Sequence, residues 1–291
     1  MTQDKIGPHG LNAWLDRIRD QELPIFGRTA ERIRELTDSD KAAVSQLAEA
    51  ILRDPGITAK LLRIANSVIF NTSGIQVTTV SRAVVMLGFD MVRQIVLSVA
   101  FVDAFLRGPV RERVQREMAR AFHAAVQARW LAGRRHDAQT EEVFIAALLY
   151  RFGELAFWCV AGEAGDELDA ALRHNPRYPG DVEQAVLGFR LHQMTVALTR
   201  DWRVSPLLQS VLKGGFMQRS RERAVVLAFR LAEGAEGGWN TERACARLKD
   251  AAEYLRLAPE EIAEAVMKNA AEAAAVAECY GAGDAARFIP Q

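Results

Sequence analysis

Helical spacing runs through almost the whole chain, and no segment sustains the apolar-polar alternation of a half-buried strand. The punctuation agrees with that period. Asp54-Pro55-Gly56 places an N-cap acceptor before a proline at the first helical position, where its missing N–H costs nothing. The helix expected after it carries Ile57, Leu61, Ile64, Ala65 and Val68 on one face, with Lys60, Arg63 and Ser67 opposite. Gly88 is suited to close the next helix and Asp90 to cap the one after it. Gly108-Pro109 breaks the chain before a long arginine-rich helix. Pro259-Glu260-Glu261 opens a late helix with acids in its first turn, where they complement the dipole. The pattern predicts an all-α chain: short helices to about Leu36, a block over about Asp40 to Leu106, another from Val110 to Met217, and an alanine-rich region from Arg221 to Tyr280. The loop from Asn71 to Thr78 is the one place for a short extended piece. No fixed-period repeat or low-complexity linker interrupts the blocks, so they are expected to pack together.

With 291 residues, 49% of them apolar, the chain can bury a sizeable core. Lys plus Arg (37) equals Asp plus Glu (37), which lacks the global basic footprint of a sequence-independent nucleic-acid binder. Cys159, Cys245 and Cys279 are widely spaced, without metal-ligand spacing, and read as reduced thiols. No basic start with an apolar run is visible, and the apolar stretch from Ile95 to Leu106, broken by Asp103, is too short to cross a bilayer. A cytoplasmic protein with no membrane partner is the expectation.

Two runs carry more specific information. The first is Leu52-Arg53-Asp54-Pro55-Gly56-Ile57-Thr58-Ala59-Lys60-Leu61-Leu62-Arg63-Ile64-Ala65-Asn66-Ser67, preceded by Leu23-Pro24 and followed by Ile75 and by Val80 to Gly88. The second is Ala146-Ala147-Leu148-Leu149-Tyr150-Arg151-Phe152-Gly153-Glu154-Leu155, with Phe122-His123 before it and Gly188-Phe189-Arg190-Leu191-His192 and Leu198 to Trp202 after it. Together they resemble the HDOD domain, the HD-related output domain of bacterial signalling proteins, from roughly Leu23 to Met217. The resemblance implies an all-helical fold, with a helical block at about 23–108 packed on a degenerate HD-like block at about 109–217. A 1–22 extension and a 218–291 helical region flank them. It also implies a role in signal transduction.

The second run resembles the motif of HD-type metal phosphohydrolases, in which a His-Asp pair stands before the glycine and helps hold divalent ions. Here Tyr150 and Arg151 occupy the pair. A di-metal hydrolase needs neutral imidazoles and carboxylates converging on the ions. Arginine does not deprotonate in a protein, and its charge repels a cation at short range. His123 matches an earlier ligand position and His192 one that HDOD sequences often retain, while Lys213-Gly214-Gly215 stands where some relatives carry a His-His pair. With two candidate imidazoles and no identifiable partner carboxylate, the expectation is no catalytic site, no metal and no cofactor.

The residues have two readings each. His123 and His192 are either structural histidines or contacts in a vacated ligand pocket with Tyr150 and Arg151. Arg151 either pairs with Glu154 three residues on or binds an anion, since guanidinium suits phosphate. Tyr150 reads as a packing aromatic. Lys60, Arg63, Asn66 and Ser67 are either a partner surface or, for the Asn-Ser pair, a tie for the loop after Phe70. The arginines from Arg107 to Arg135, against Glu112 and Glu117, form either a solvated helix that meets the acidic tail or a footprint for an acidic partner. The leading expectation is a non-enzymatic regulatory module that binds a signalling protein or a small anionic messenger, with a homodimer left open. A residual phosphohydrolase and a nucleic-acid-binding regulator are the alternatives.

Overall fold

The computed structural model describes residues 9–20, 44–52, 55–67, 69–71, 74–107, 112–175, 178–201, 206–214 and 220–290. Asp54, Gly108-Pro109, Arg111, Trp202 and Gly215 lie outside that set, as do the side chains of Lys60 and Arg107. Among the described residues the fold is all-α, as the spacing predicts, with no strand and a single 3-10 turn at Ala235–Gly237.

The N-terminal half contributes α1 (Leu11–Asp20), α2 (Val44–Leu52), α3 (Pro55–Ala65), α4 (Val80–Leu87) and α5 (Phe89–Arg107). The middle contributes α6 (Glu112–Arg134), α7 (Thr140–Leu148), α8 (Phe152–Val160), α9 (Glu163–His174), α10 (Pro179–Leu187), α11 (Leu191–Asp201) and α12 (Pro206–Leu212). The last part holds α13 (Ser220–Gly234), α14 (Glu242–Leu255), α15 (Pro259–Cys279) and the short α16 (Gly283–Ala286).

The caps follow the sequence signals with one shift. Gly88 ends α4 at φ 81, and its N–H donates to the Val84 carbonyl at 2.8 Å. That positive φ is the reason for a glycine. Asp90 is not a cap: α5 begins at Phe89, and Asp90 lies in its first turn. At α15 the Glu261 carboxylate accepts from the Ala258 N–H at 2.6 Å, the reciprocal half of a capping box. The segment 74–78 has no regular secondary structure.

The central element is α6, which packs most extensively on α13, then on α7 and α15. Its buried face includes Met118, Phe122, His123, Val126 and Leu131. The buried core is continuous from Trp14 on α1 to Ile289 at the far end of the chain. Trp14 is fully buried edge-on to Phe157, with ring centroids 4.9 Å apart. Burying an apolar side chain of this class stabilises by roughly 1.5–3 kcal/mol.

The stretch Thr140–Val160, rather than Ile95 to Leu106, is the most membrane-like segment: 21 residues at mean hydropathy 1.7. It is 89% buried, and a turn at Leu149–Arg151 divides it into α7 and α8. Its apolar character belongs to the core. Immediately after that turn, a Cβ on Gly153 would meet the backbone N of Thr195 at 2.4 Å and its Cα at 2.6 Å. Helices α8 and α11 therefore cross with no room for a side chain. The glycine after the Tyr-Arg pair is a packing requirement that fixes where that pair sits.

Candidate functional site

Tyr150 and Arg151 occupy the turn between α7 and α8, with the Arg151 carbonyl accepting the first two N–H bonds of α8 from Glu154 (3.0 Å) and Leu155 (3.2 Å). The rise of the helix then brings residue 154 back under residue 151. The Arg151 guanidinium forms an ion pair with the Glu154 carboxylate, the nearer of the two readings from spacing. Its Cζ also lies 5.3 Å from the centroid of Phe229 on α13. Tyr150 packs on the same ring, with centroids 5.2 Å apart. The phenol is a packing aromatic, and burial pushes its pKa up.

The ion pair is part of a larger buried cluster that the sequence does not reveal. Glu117 on α6 is 4% exposed. It accepts from Arg120 at 2.7 Å and lies 3.4 Å from Arg113. Arg120 turns its Nε to Glu236 at 2.5 Å, and its Cζ also stands 5.9 Å from the Phe229 ring. Arg113 lies over Trp158 at 4.9 Å. Glu183 accepts from the Leu191 N–H at 2.9 Å, at the start of the helix that carries His192.

The electrostatics sort the three carboxylates. Burial penalises the Glu117 anion, but Arg120, Arg151 and Arg113 outweigh it and hold the group below the usual carboxylate range. Glu154 has Arg151 as its main partner, and burial prevails there. With Glu117 and Glu183 adding repulsion, its pKa is pushed up to about 7. Burial also raises Glu183, against the Leu191 N–H. Arg151 stays charged, because Glu154 and Glu117 more than offset its own burial.

His123 is 1% exposed and belongs to a different network. The Gln127 amide donates to the Val266 carbonyl at 2.8 Å and to His123 Nε2 at 3.0 Å, and its oxygen accepts from Asn269 at 2.9 Å. Nε2 is thus an acceptor, and the proton resides on Nδ1. Burial lowers the pKa to about 3, so the ring is neutral. Nδ1 has no partner among the described residues, and the ring borders a cavity of about 20 Å³ also lined by Arg116, Arg120 and Phe288. That volume is enough for one water molecule.

The four residues expected to share a pocket are therefore divided. Tyr150 and Arg151 meet on Phe229, while the cavity lined by His123 includes neither of them, nor His192. His192 is exposed on α11, with partial burial of its ring and the charge of Arg151 lowering its pKa. Glu154 stands beside the pair as its spacing predicts, and Glu117 joins from α6, a carboxylate the sequence does not identify; both are buried and paired to arginines. A divalent ion does not fit this donor set, because the Arg151 guanidinium is paired to Glu154 and its charge also acts on Glu117, the carboxylates such an ion would need. No group of three or more His, Cys, Asp or Glu is placed to hold a metal among the described residues.

The second candidate surface also resolves by residue. Asn66 donates to the Leu62 carbonyl (2.8 Å) and the Val77 carbonyl (2.7 Å), and accepts from the Val77 N–H at 2.7 Å. Ser67 donates to the Ile64 carbonyl at 2.7 Å. Asn66 thereby ties the loop at Val77 to α3, the structural reading, whereas Ser67 bonds only to the end of that helix. Arg63 is exposed.

The arginine-rich helix meets the acidic C-terminal region inside the molecule through Arg120 with Glu236 and Arg129 with Glu272 (3.5 Å), while Arg116 pairs along the helix with Glu112 (2.6 Å) and Arg116, Arg134 and Arg135 are exposed.

Residues 23–213 match the HDOD domain family. The chain belongs to the HDOD family. An HDOD domain protein of unknown function from Geobacter sulfurreducens has the same fold: TM-score 0.66 at 20% identity, over 93% of this chain and 99% of that one. A protein of Shewanella amazonensis SB2B provisionally named a phosphohydrolase aligns with TM-score 0.64 at 19% identity, over 95% of this chain and 97% of that one. A protein of Marinobacter aquaeolei VT8 provisionally named for signal transduction gives 0.58 at 21% identity, over 88% of this chain and 59% of that one. At these identities the likeness speaks to the HDOD fold alone. No curated protein matches the chain.

Proposed function

We propose that this HDOD chain is a non-catalytic regulatory module of bacterial signal transduction. It works in the cytoplasm by binding a signalling protein or a small anionic messenger. One observation supports the reading above the others: the Arg151 guanidinium, paired to Glu154 and stacked on Phe229, fills the turn where HD-type hydrolases place metal ligands. Hydrolysis by such a centre depends on a metal that activates water and neutralises phosphate, and the local chemistry here disfavours cations. The internal pairing of α6 likewise argues against a duplex-binding footprint. The signal would pass through α6, which carries Glu117, and α13, whose Phe229 ring packs against Arg120 and Arg151 of the buried charge cluster. Elemental analysis of purified protein, with a phosphodiesterase assay in added Mn²⁺, tests the proposal. Substoichiometric metal and background turnover are expected. Stoichiometric metal with turnover would overturn it.

A further inference from the structure

Arg151 is neutralised inside the molecule, so an anionic ligand must be met elsewhere. A cleft of about 220 Å³ lies between α13 and α14, beyond the family-matched segment. Arg223 and Arg230 stand seven residues apart on the same face of α13, and Arg247 faces them from α14. Val226 and Leu227 form the apolar floor, and Asp250 and Glu253 lie at the α14 side.

The arginines are arranged rather than scattered. Arg247 is held by Asp250 at 2.5 Å. Its stem lies so close to α13 that a Cβ on Gly234 would come within 2.7 Å of its Cγ. Arg223 lies 5.4 Å from the Tyr254 ring, which Arg135 approaches to 5.7 Å. Tyr254 is anchored in turn through its hydroxyl to Ser220, at 2.9 Å from Oγ. Neither Arg223 nor Arg230 has a carboxylate partner among the described residues. Two guanidiniums that no described carboxylate pairs, and a third held by Asp250, line one cleft over a small apolar floor, with Glu253 at its edge. The same helix carries Phe229, the ring on which Arg151 and Tyr150 rest.

We infer that this α13–α14 cleft binds a phosphate-bearing small molecule. The inference deepens the proposed messenger-binding role by placing the anion site in the C-terminal region rather than at Arg151. Guanidinium pairs phosphate oxygens two at a time, and the floor can hold a few carbon atoms of the attached group. The volume suits a phosphate with a small substituent or one face of a mononucleotide, and not a dinucleotide.

Isothermal titration calorimetry of the full chain at low salt provides the test, with pyrophosphate, inorganic phosphate and AMP as probes. Saturable binding of at least one probe is expected, weakened about tenfold or more in Arg230→Gln, whose side chain is exposed and free of the core. Lys268→Gln, which removes an equal charge at an exposed position of α15, should leave binding unchanged. AMP tighter than inorganic phosphate would show that Val226 and Leu227 contribute; equal affinities would mean that the arginines read phosphate alone. Absence of saturation with all three probes, or equal loss in both variants, would overturn the inference. Metal content is a separate readout, so failure here leaves the non-catalytic reading intact, and stoichiometric metal would sink that reading without touching the cleft.

Discussion

Replacing Arg151 with methionine keeps most of the side-chain bulk and removes the charge. Glu154, 5% exposed, then loses its main partner, and Glu117 loses one of three. Breaking one side of a buried ion pair costs about 3–5 kcal/mol, and the lost stack on Phe229 adds about 0.5–2 kcal/mol. Glu154 has one escape, which is to take a proton. Its folded pKa of about 7 already exceeds the ordinary 4.5 and rises further without the guanidinium. A carboxyl with a raised folded pKa contributes stability that is complete below its unfolded value and is lost as pH rises through the folded one. Arg151→Met should therefore cost about 4 kcal/mol or more at pH 8.5 and clearly less at pH 5. Adding Glu154→Gln leaves no charge to strand and should recover much of the loss at pH 8.5. Urea denaturation of wild type, both single variants and the double variant at the two pH values yields the coupling directly. Equal stability of Arg151→Met and wild type at pH 8.5, or simple addition of the two losses, would refute the buried pair.

Gly153→Ala should destabilise by roughly 1–3 kcal/mol despite alanine's better helix propensity, because the clash is with the Thr195 backbone; calorimetric melting checks it. Asn66→Ala should cost roughly 1–3 kcal/mol and speed hydrogen exchange at the Val77 amide, which loses its acceptor. His123, with a pKa lowered to about 3, contributes stability that is present above its ordinary 6.5 and lost as pH falls below that value. Its ring proton signals in NMR should accordingly show no titration between pH 8 and pH 5.

What was legible in the sequence was local. Helix starts at Pro55 and Pro259, the Gly88 stop and the Arg151–Glu154 pair all follow from spacings of a few residues. The Asn66 tie to Val77 spans 11 positions and was still readable, since Asn and Ser at a helix end compete for nearby backbone groups. The rest depends on contacts that no short window contains. Phe229 reaches Arg151 because α13 packs on α7 as well as on α6, and Glu117 joins the cluster because α6 packs on α7 and α8. The Glu117–Arg120 spacing on α6 was a usable hint of an internal pair, but burial alone distinguishes it from a solvated one. The same limit explains the pocket that did not assemble. The sequence resemblance groups His123 with His192, while in the structure one is buried against Gln127 and the other is exposed on α11.

The most direct measurement is anomalous diffraction from crystals soaked in Mn²⁺. The expected result is no anomalous peak between His123 and the α7–α8 turn, with the Arg151 guanidinium still on Glu154. A strong peak there, ligated by His123 and a carboxylate with the guanidinium turned outward, would contradict the replacement of a metal site by an internal ion pair.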